Sequence, residues 1–283
     1  MLAQKNDKVI LLVSFGTTYE ETRKLTIDSI EKEIAERFVD YDVKSAFTSH
    51  MIIKILKKRD KHIVDTPEEA LEKIRELGYK EVIVQSLHIM PGEEYDYVSK
   101  VVENYKEVFE KISLGRPILY FKGDGEELVD DYSIAVDALK EKLPKNEVVV
   151  FMGHGTTHPA NASYACLQMV FRDHGINNVY IGTVEGYPTI NNVINSLKKE
   201  KVKEVTLMPL MIVAGDHCNN DMASDEENSW KSLLTNEGIK VNLYMHGIGE
   251  NKKIKDIFVK HVEDVMLERF ENVGKTKKGG LHG

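Results

Sequence analysis

Cysteine is scarce in this chain: Cys166 and Cys218 are the only two in 283 residues. They form no ligand-spaced pair, which excludes a disulfide framework and the thiolate cages of structural zinc. Long apolar runs are missing as well, since nothing approaches the roughly 20 residues a membrane-crossing helix needs. The opening MLAQKNDKVILLVSF lacks the basic, apolar, small-residue order of an export signal. The expectation is a cytoplasmic protein with no membrane partner. Basic residues are outnumbered, and the formal net charge of −8 argues against a nucleic-acid partner. Neither GxxxxGK[ST] nor GxGxxG occurs, so no nucleotide site is expected.

What is present is enough apolar material, 42% of residues, to bury one large core or two ordinary ones. The stretch Val148-Val149-Val150-Phe151-Met152-Gly153-His154-Gly155-Thr156-Thr157-His158-Pro159 reads as a buried strand and a tight turn into a helix. His154 then stands at the strand's carboxyl end, the edge where open parallel sheets bind ligands. Strands are also expected at 9–15, 42–48, 81–90, 117–121 and 240–245. The helices between them include one opened by a Thr18/Glu21 capping box, with an Ile27, Ile30, Ile34, Phe38 stripe, and one opened by Thr66, Pro67 and Glu69 and stopped by Gly78. Alternating strands and helices predict a parallel sheet covered on both faces.

The pattern then repeats. Phe15-Gly16-Thr17-Thr18 matches His154-Gly155-Thr156-Thr157 at an offset of 139, Ser49 matches Glu185 at 136, and Glu94 matches His217 at 123. Two similar α/β lobes around a cleft follow. Expected units are a first lobe at 1–127, a second at 128–250 carrying the metal ligands, a terminal helix at 251–270 that could cross back onto the first lobe, and a disordered tail at 271–283.

At the three matched strand ends the second lobe carries His154, Glu185 and His217, a set that suits a divalent first-row ion and leaves positions open for chemistry. Plainer roles compete. Glu185 could cap the helix starting near Pro188, and His217 could be an exposed loop residue. Cys218 is left out as a ligand because a neighbour of a ligand points away. His158 fails the HExxH pattern, Gly155 standing where glutamate is needed, and reads as a capping or cleft-wall residue. His88, inside a strand, reads as a satisfied core histidine.

These motifs, with Ser14-Phe15-Gly16-Thr17-Thr18, Leu87-His88-Ile89-Met90-Pro91-Gly92-Glu93-Glu94-Tyr95, Gly182-Thr183-Val184-Glu185-Gly186-Tyr187-Pro188 and the run from Pro209 to Ala223, resemble the class II chelatases of tetrapyrrole biosynthesis, the anaerobic CbiK type above all. The resemblance spans nearly the whole chain and implies two flavodoxin-like lobes. It also implies a lyase-class reaction, insertion of Co²⁺ into sirohydrochlorin on the oxygen-independent route to cobalamin. By it His154 and His217 are metal and catalytic histidines, Glu185 a metal ligand, and Glu94 the acidic residue on the opposite wall; the repeat favours Glu94 over Glu93. The partners implied are sirohydrochlorin and divalent cobalt as substrates, with no prosthetic group. The ligand set does not separate Co²⁺ from Fe²⁺ or Ni²⁺. His154 is the first choice of proton acceptor, with His217 left open, as is homo-oligomerisation. The rival of another class is a non-catalytic tetrapyrrole or metal binding protein. Arg23, Lys44 and Lys54 are candidate carboxylate contacts, and Tyr19, Tyr95, Tyr187 and Met90 a candidate wall for the ring.

Overall fold

The computed structural model describes residues 6–270 and Val273, so the rest of the expected tail lies outside the described residues. The first sheet is built from β1 (Lys8–Ser14), β2 (Asp42–Phe47), β3 (Glu81–Ser86) and β4 (Lys111–Gly115). Between them run α1 (Glu20–Leu25), α2 (Ile27–Arg37), α3 (His50–Ile55), α4 (Pro67–Glu76) and α5 (Glu93–Asn104). A linking helix, α6 (Asp131–Leu139), leads to the second sheet of β5 (Val149–Gly153), β6 (Val179–Thr183), β7 (Glu204–Pro209) and β8 (Lys240–Leu243). Its helices are α7 (Ala162–Asp173), α8 (Ile190–Lys199) and α9 (Trp230–Asn236), and α10 (Lys252–Met266) follows the last strand.

The pairings among these eight strands are parallel, in the orders β2-β1-β3-β4 and β6-β5-β7-β8. The two sheets are thus the same object built twice, as the repeat predicts. The chain reverses its progress across each sheet beside β1 and β5, the switch points where a crevice opens at the strands' carboxyl ends.

Three local expectations need correction. The fourth strand is Lys111–Gly115, not 117–121. It is an edge strand whose Ile112 and Leu114 alternate with Lys111 and Ser113, so it lacks a continuous apolar run. Ile118 and Leu119 instead follow it and hydrogen-bond the carbonyls of His88 and Ile89. The Thr18/Glu21 box does not form, because Tyr19 is the N-cap of α1 and Thr17 Oγ1 accepts from the Tyr19 amide at 3.2 Å. The expected single helix is also broken at Thr26, whose hydroxyl bonds the Thr22 carbonyl at 2.5 Å, although the stripe Ile27, Ile30, Ile34 is buried in α2. The Thr66/Glu69 box is present in full.

One apolar core runs through the middle of the molecule. It takes Ile10, Leu12 and Ile83 from the first sheet and Phe151, Ile181 and Met208 from the second, together with Val136 of α6 and Phe258 of α10. The opposite face of each sheet has a core of its own, formed around Leu11, Val84 and Val98 in the first lobe and around Val150, Leu207 and Trp230 in the second. α10 lies against α2, β3 and β4 of the first lobe as well as α6. At that junction Arg116, just past β4, donates to both oxygens of Asp131 at 2.9 and 3.0 Å and meets Asp264 of α10 at 2.9 Å. His261 adds a contact of Nδ1 to the Arg116 carbonyl at 3.0 Å. Burial pushes the Asp131 carboxyl up, but hydrogen bonds from His261 and Arg116 outweigh it and hold it below the usual range.

Candidate metal centre between the lobes

The turn after β5 is fixed by Gly155, at φ +82°, where a side chain would run into the Gly186 backbone and Thr183. The turn after β1 is fixed the same way by Gly16, at φ +91°, packed on the Phe47 ring. Backbone bonds then set the neighbours. Val184 and Glu185 amides donate to the Gly153 and His154 carbonyls at 3.1 and 2.8 Å, and in the first lobe Thr48 and Ser49 donate to Ser14 and Phe15 at 2.9 and 3.4 Å. Structure therefore equates Phe15 with His154 and Ser49 with Glu185, as the repeat does.

His154 and His217 come together, their ring centroids 4.5 Å apart and the rings nearly perpendicular at 86°. His217 reaches there from the helical turn after β7, running into the short π-type segment Cys218–Met222. Each ring is oriented by its Nδ1. That of His154 lies 2.8 Å from the Gly155 carbonyl, and that of His217 lies 2.7 Å from Asp221 Oδ2. A carbonyl and a carboxylate only accept, so both Nδ1 atoms donate, and in the neutral rings both Nε2 atoms keep a lone pair. Two half-buried imidazoles with free Nε2 atoms are a pair of metal donors, or proton acceptors when no metal is held.

The expected third ligand is not gathered with them. Among the described residues no three His, Cys, Asp or Glu side chains stand ready to hold an ion. Glu185 is tied to His154 through its backbone, but its side chain is exposed, and no hydrogen bond or ion pair from the described residues holds it. The capping role considered for Glu185 is also absent, because Thr189 caps α8 through a capping box with Asn192. Cys218 is fully buried, and burial pushes its thiol up to about 12, so it offers no thiolate.

The facing wall comes from the first lobe. Glu93 Oε1 accepts from Thr156 and Thr157 hydroxyls at 3.1 and 3.2 Å, so it is committed to joining the lobes. Its neighbour Glu94, half-buried in the first turn of α5, has no such partner among the described residues. His158 caps the short turn Pro159–Asn161 through Nδ1, at 3.1 Å from the Ala160 amide, and faces Asp96 across the lobes at 3.2 Å. Tyr19 reaches Asp216 at 3.3 Å. Of the other candidates, Arg23 is paired with Asp28, Lys44 lies over the Tyr79 ring, and Tyr95 packs edge-on against Tyr120. Tyr187 remains 63% exposed beside the site.

His88 is buried, as expected, but only half satisfied. Ser86 Oγ lies 2.8 Å from Nδ1, Nε2 finds no partner, and burial pulls the imidazole down to about 4. Sequence reasoning misses Asp221, although its spacing four residues after His217 is the helical spacing that lets a carboxylate hold an imidazole.

A family model for cobalt chelatase (CbiK) matches residues 8–267. The chain belongs to the CbiK cobalt chelatase family. Within it, a sirohydrochlorin cobaltochelatase of Salmonella typhimurium is 41% identical over 262 residues, covering 92% of this chain and 96% of the relative. The sirohydrochlorin cobaltochelatase CbiKC of Nitratidesulfovibrio vulgaris is 36% identical over 261 residues, covering 90% and 89%. Among solved structures, CbiX, described as the terminal enzyme for biosynthesis of siroheme in denitrifying bacteria, aligns with a TM-score of 0.49 and 13% identity over 90% of this CbiK-family chain and 98% of CbiX.

Proposed function

We propose that this CbiK-family protein inserts Co²⁺ into sirohydrochlorin and releases two protons. The observation that carries the proposal is the imidazole pair, His154 and His217, with both Nε2 atoms free at the carboxyl ends of the second sheet. Family membership and the names of the two relatives supply the substrate pair.

Insertion asks for an ion held by few enough ligands to be let go, a ring positioned over it, and acceptors for two pyrrole protons. His154 and His217 would hold the arriving Co²⁺ through Nε2, and the exposed Glu185 carboxylate would swing in once the cation supplies a countercharge. As four ring nitrogens replace these ligands, two N–H bonds break. An imidazole nitrogen freed by the departing metal accepts one proton, and Glu94 on the opposite wall accepts the other. Ligation and proton uptake use the same imidazole nitrogen, so they occur in sequence. The metal is a substrate throughout, and it leaves with the product.

The test is optical. Protein, sirohydrochlorin and Co²⁺ are mixed anaerobically and the ring's absorption is followed, with Fe²⁺ and Ni²⁺ in parallel. Conversion of many ring equivalents per protein, fastest with Co²⁺, is expected. A spectral change that stops at one equivalent would replace the enzyme with a binding protein, and faster turnover with Fe²⁺ or Ni²⁺ would replace the metal.

A further inference from the structure

The lobes meet through reciprocal contacts. A methyl placed on Gly215 of the second lobe would lie 3.4 Å from Thr17 Oγ1 of the first, and one on Gly92 of the first would lie 4.0 Å from Thr156 Cγ2 of the second. Thr17 and Thr156 are equivalent in the repeat, as are Gly92 and Gly215. Contacts that exchange equivalent residues in this way are the mark of a two-fold relation, here an approximate one within a single chain. Under such a relation equivalent residues stand on opposite walls, at matching distances from the axis. His154 therefore has a counterpart across the cleft, and that counterpart is Phe15.

Phe15 is unusual for its place. The six residues preceding it, Val9 to Ser14, are all buried, yet Phe15 itself is 42% exposed. Its backbone is placed as that of His154 is, by the Gly16 turn and by the Ser49 amide on its carbonyl, although that bond is longer, 3.4 against 2.8 Å. Ser49, the counterpart of Glu185, spends its hydroxyl capping α3, at 3.4 Å from the Ile52 amide, and so adds no metal donor. At these two matched positions the first lobe thus offers an aromatic ring and a committed hydroxyl, where the second offers an imidazole and a free carboxylate.

We propose that Phe15 is a positioning residue for the macrocycle: its phenyl face stacks on one face of the tetrapyrrole, so that the ring's other face is turned to His154 and His217 and metal enters from that side only. This rests on the tetrapyrrole reading given above. A flat conjugated ring gains apolar contact and favourable offset stacking from a phenyl group, and a phenyl group has no lone pair with which to compete for the ion. The arrangement assigns the two substrates to different walls.

The test is an anaerobic absorption titration of the full-length protein with metal-free sirohydrochlorin, beside a separate titration with Co²⁺ alone. Phe15→Ala should weaken ring binding about tenfold, raise KM for the ring in proportion, and leave Co²⁺ binding unchanged. Phe15→Trp should restore ring binding, and Phe15→Leu should restore only part of it. Ring binding by Phe15→Ala equal to that of the unaltered protein overturns the stacking role, as does a loss of Co²⁺ affinity as large as the loss for the ring. Failure of the unaltered protein itself to bind sirohydrochlorin would instead overturn the tetrapyrrole reading on which the proposal stands.

Discussion

The two lobes have the same strand order, the same glycine-fixed turn after the central strand and the same backbone bonds beyond it, yet they carry different chemistry at matched positions. Where the second lobe has His154, Glu185 and His217, the first has Phe15, Ser49 and Glu94. A scaffold repeated this closely separates the shared residues, which build the turn, from the divergent ones, on which the proposed function rests. The glycines and threonines are common to both lobes because the turn needs them. The imidazole pair His154 and His217 belongs to one lobe, as a single ion held on one wall would require under the proposed function.

The comparison breaks most sharply if His154 is dispensable. His154→Ala, or His154→Phe to copy the first lobe, should cut kcat by roughly 10²–10⁴ with thermal unfolding unchanged, since the side chain is only half-buried. Activity near that of the unaltered protein would mean the metal wall lies elsewhere. Next is the junction that sets one lobe against the other. Asp131→Asn removes one of the two carboxylates that meet the buried Arg116 guanidinium, and urea unfolding should show a loss of about 1.5–3 kcal/mol. A smaller change would assign the Arg116 charge to Asp264 alone.

A finer difference is that His217 is held by a carboxylate and His154 by a carbonyl. Asp221→Asn should lower Co²⁺ affinity by about 10–100-fold while ring binding in the absence of metal stays as it was. The smallest effect separates His88 from Met211, its second-lobe counterpart at the offset of 123. With its folded-state pKa depressed to about 4, the native protein binds fewer protons at His88 than the unfolded chain does between that value and about 6.5. Stability should therefore fall as pH drops through this window, by on the order of 1–2 kcal/mol at pH 5. His88→Met should flatten that slope, and an unchanged slope would move the effect to His261 or the carboxylates.

Much of this was legible in the residues. Apolar runs such as Val149–Gly153, together with the repeat offsets, point to the two sheets, because buried parallel strands are written as continuous hydrophobic stretches. His154, His217 and Glu94 stood out as differences between otherwise matched segments, and the structure brings the two histidines together. The edge strand Lys111–Gly115 was not legible, since its Ile112 and Leu114 alternate with Lys111 and Ser113 and form no continuous apolar run. The break at Thr26 turns on a side-chain bond to the backbone, which composition does not record. Glu185 shows a different limit: sequence can name a candidate ligand, but that its side chain lies exposed is read only from the structure. Asp221 gained a role only once its carboxylate was seen against the His217 ring, and Phe15 only once its exposure at the matched strand end was seen.

The central core, which takes side chains from both sheets and from α6 and α10, has a consequence for how the molecule comes apart. Two lobes that share their oily interior cannot melt as separate bodies, because parting them strips both at once. Calorimetry should give one endotherm rather than two, and either half expressed alone should be sticky and ill-formed.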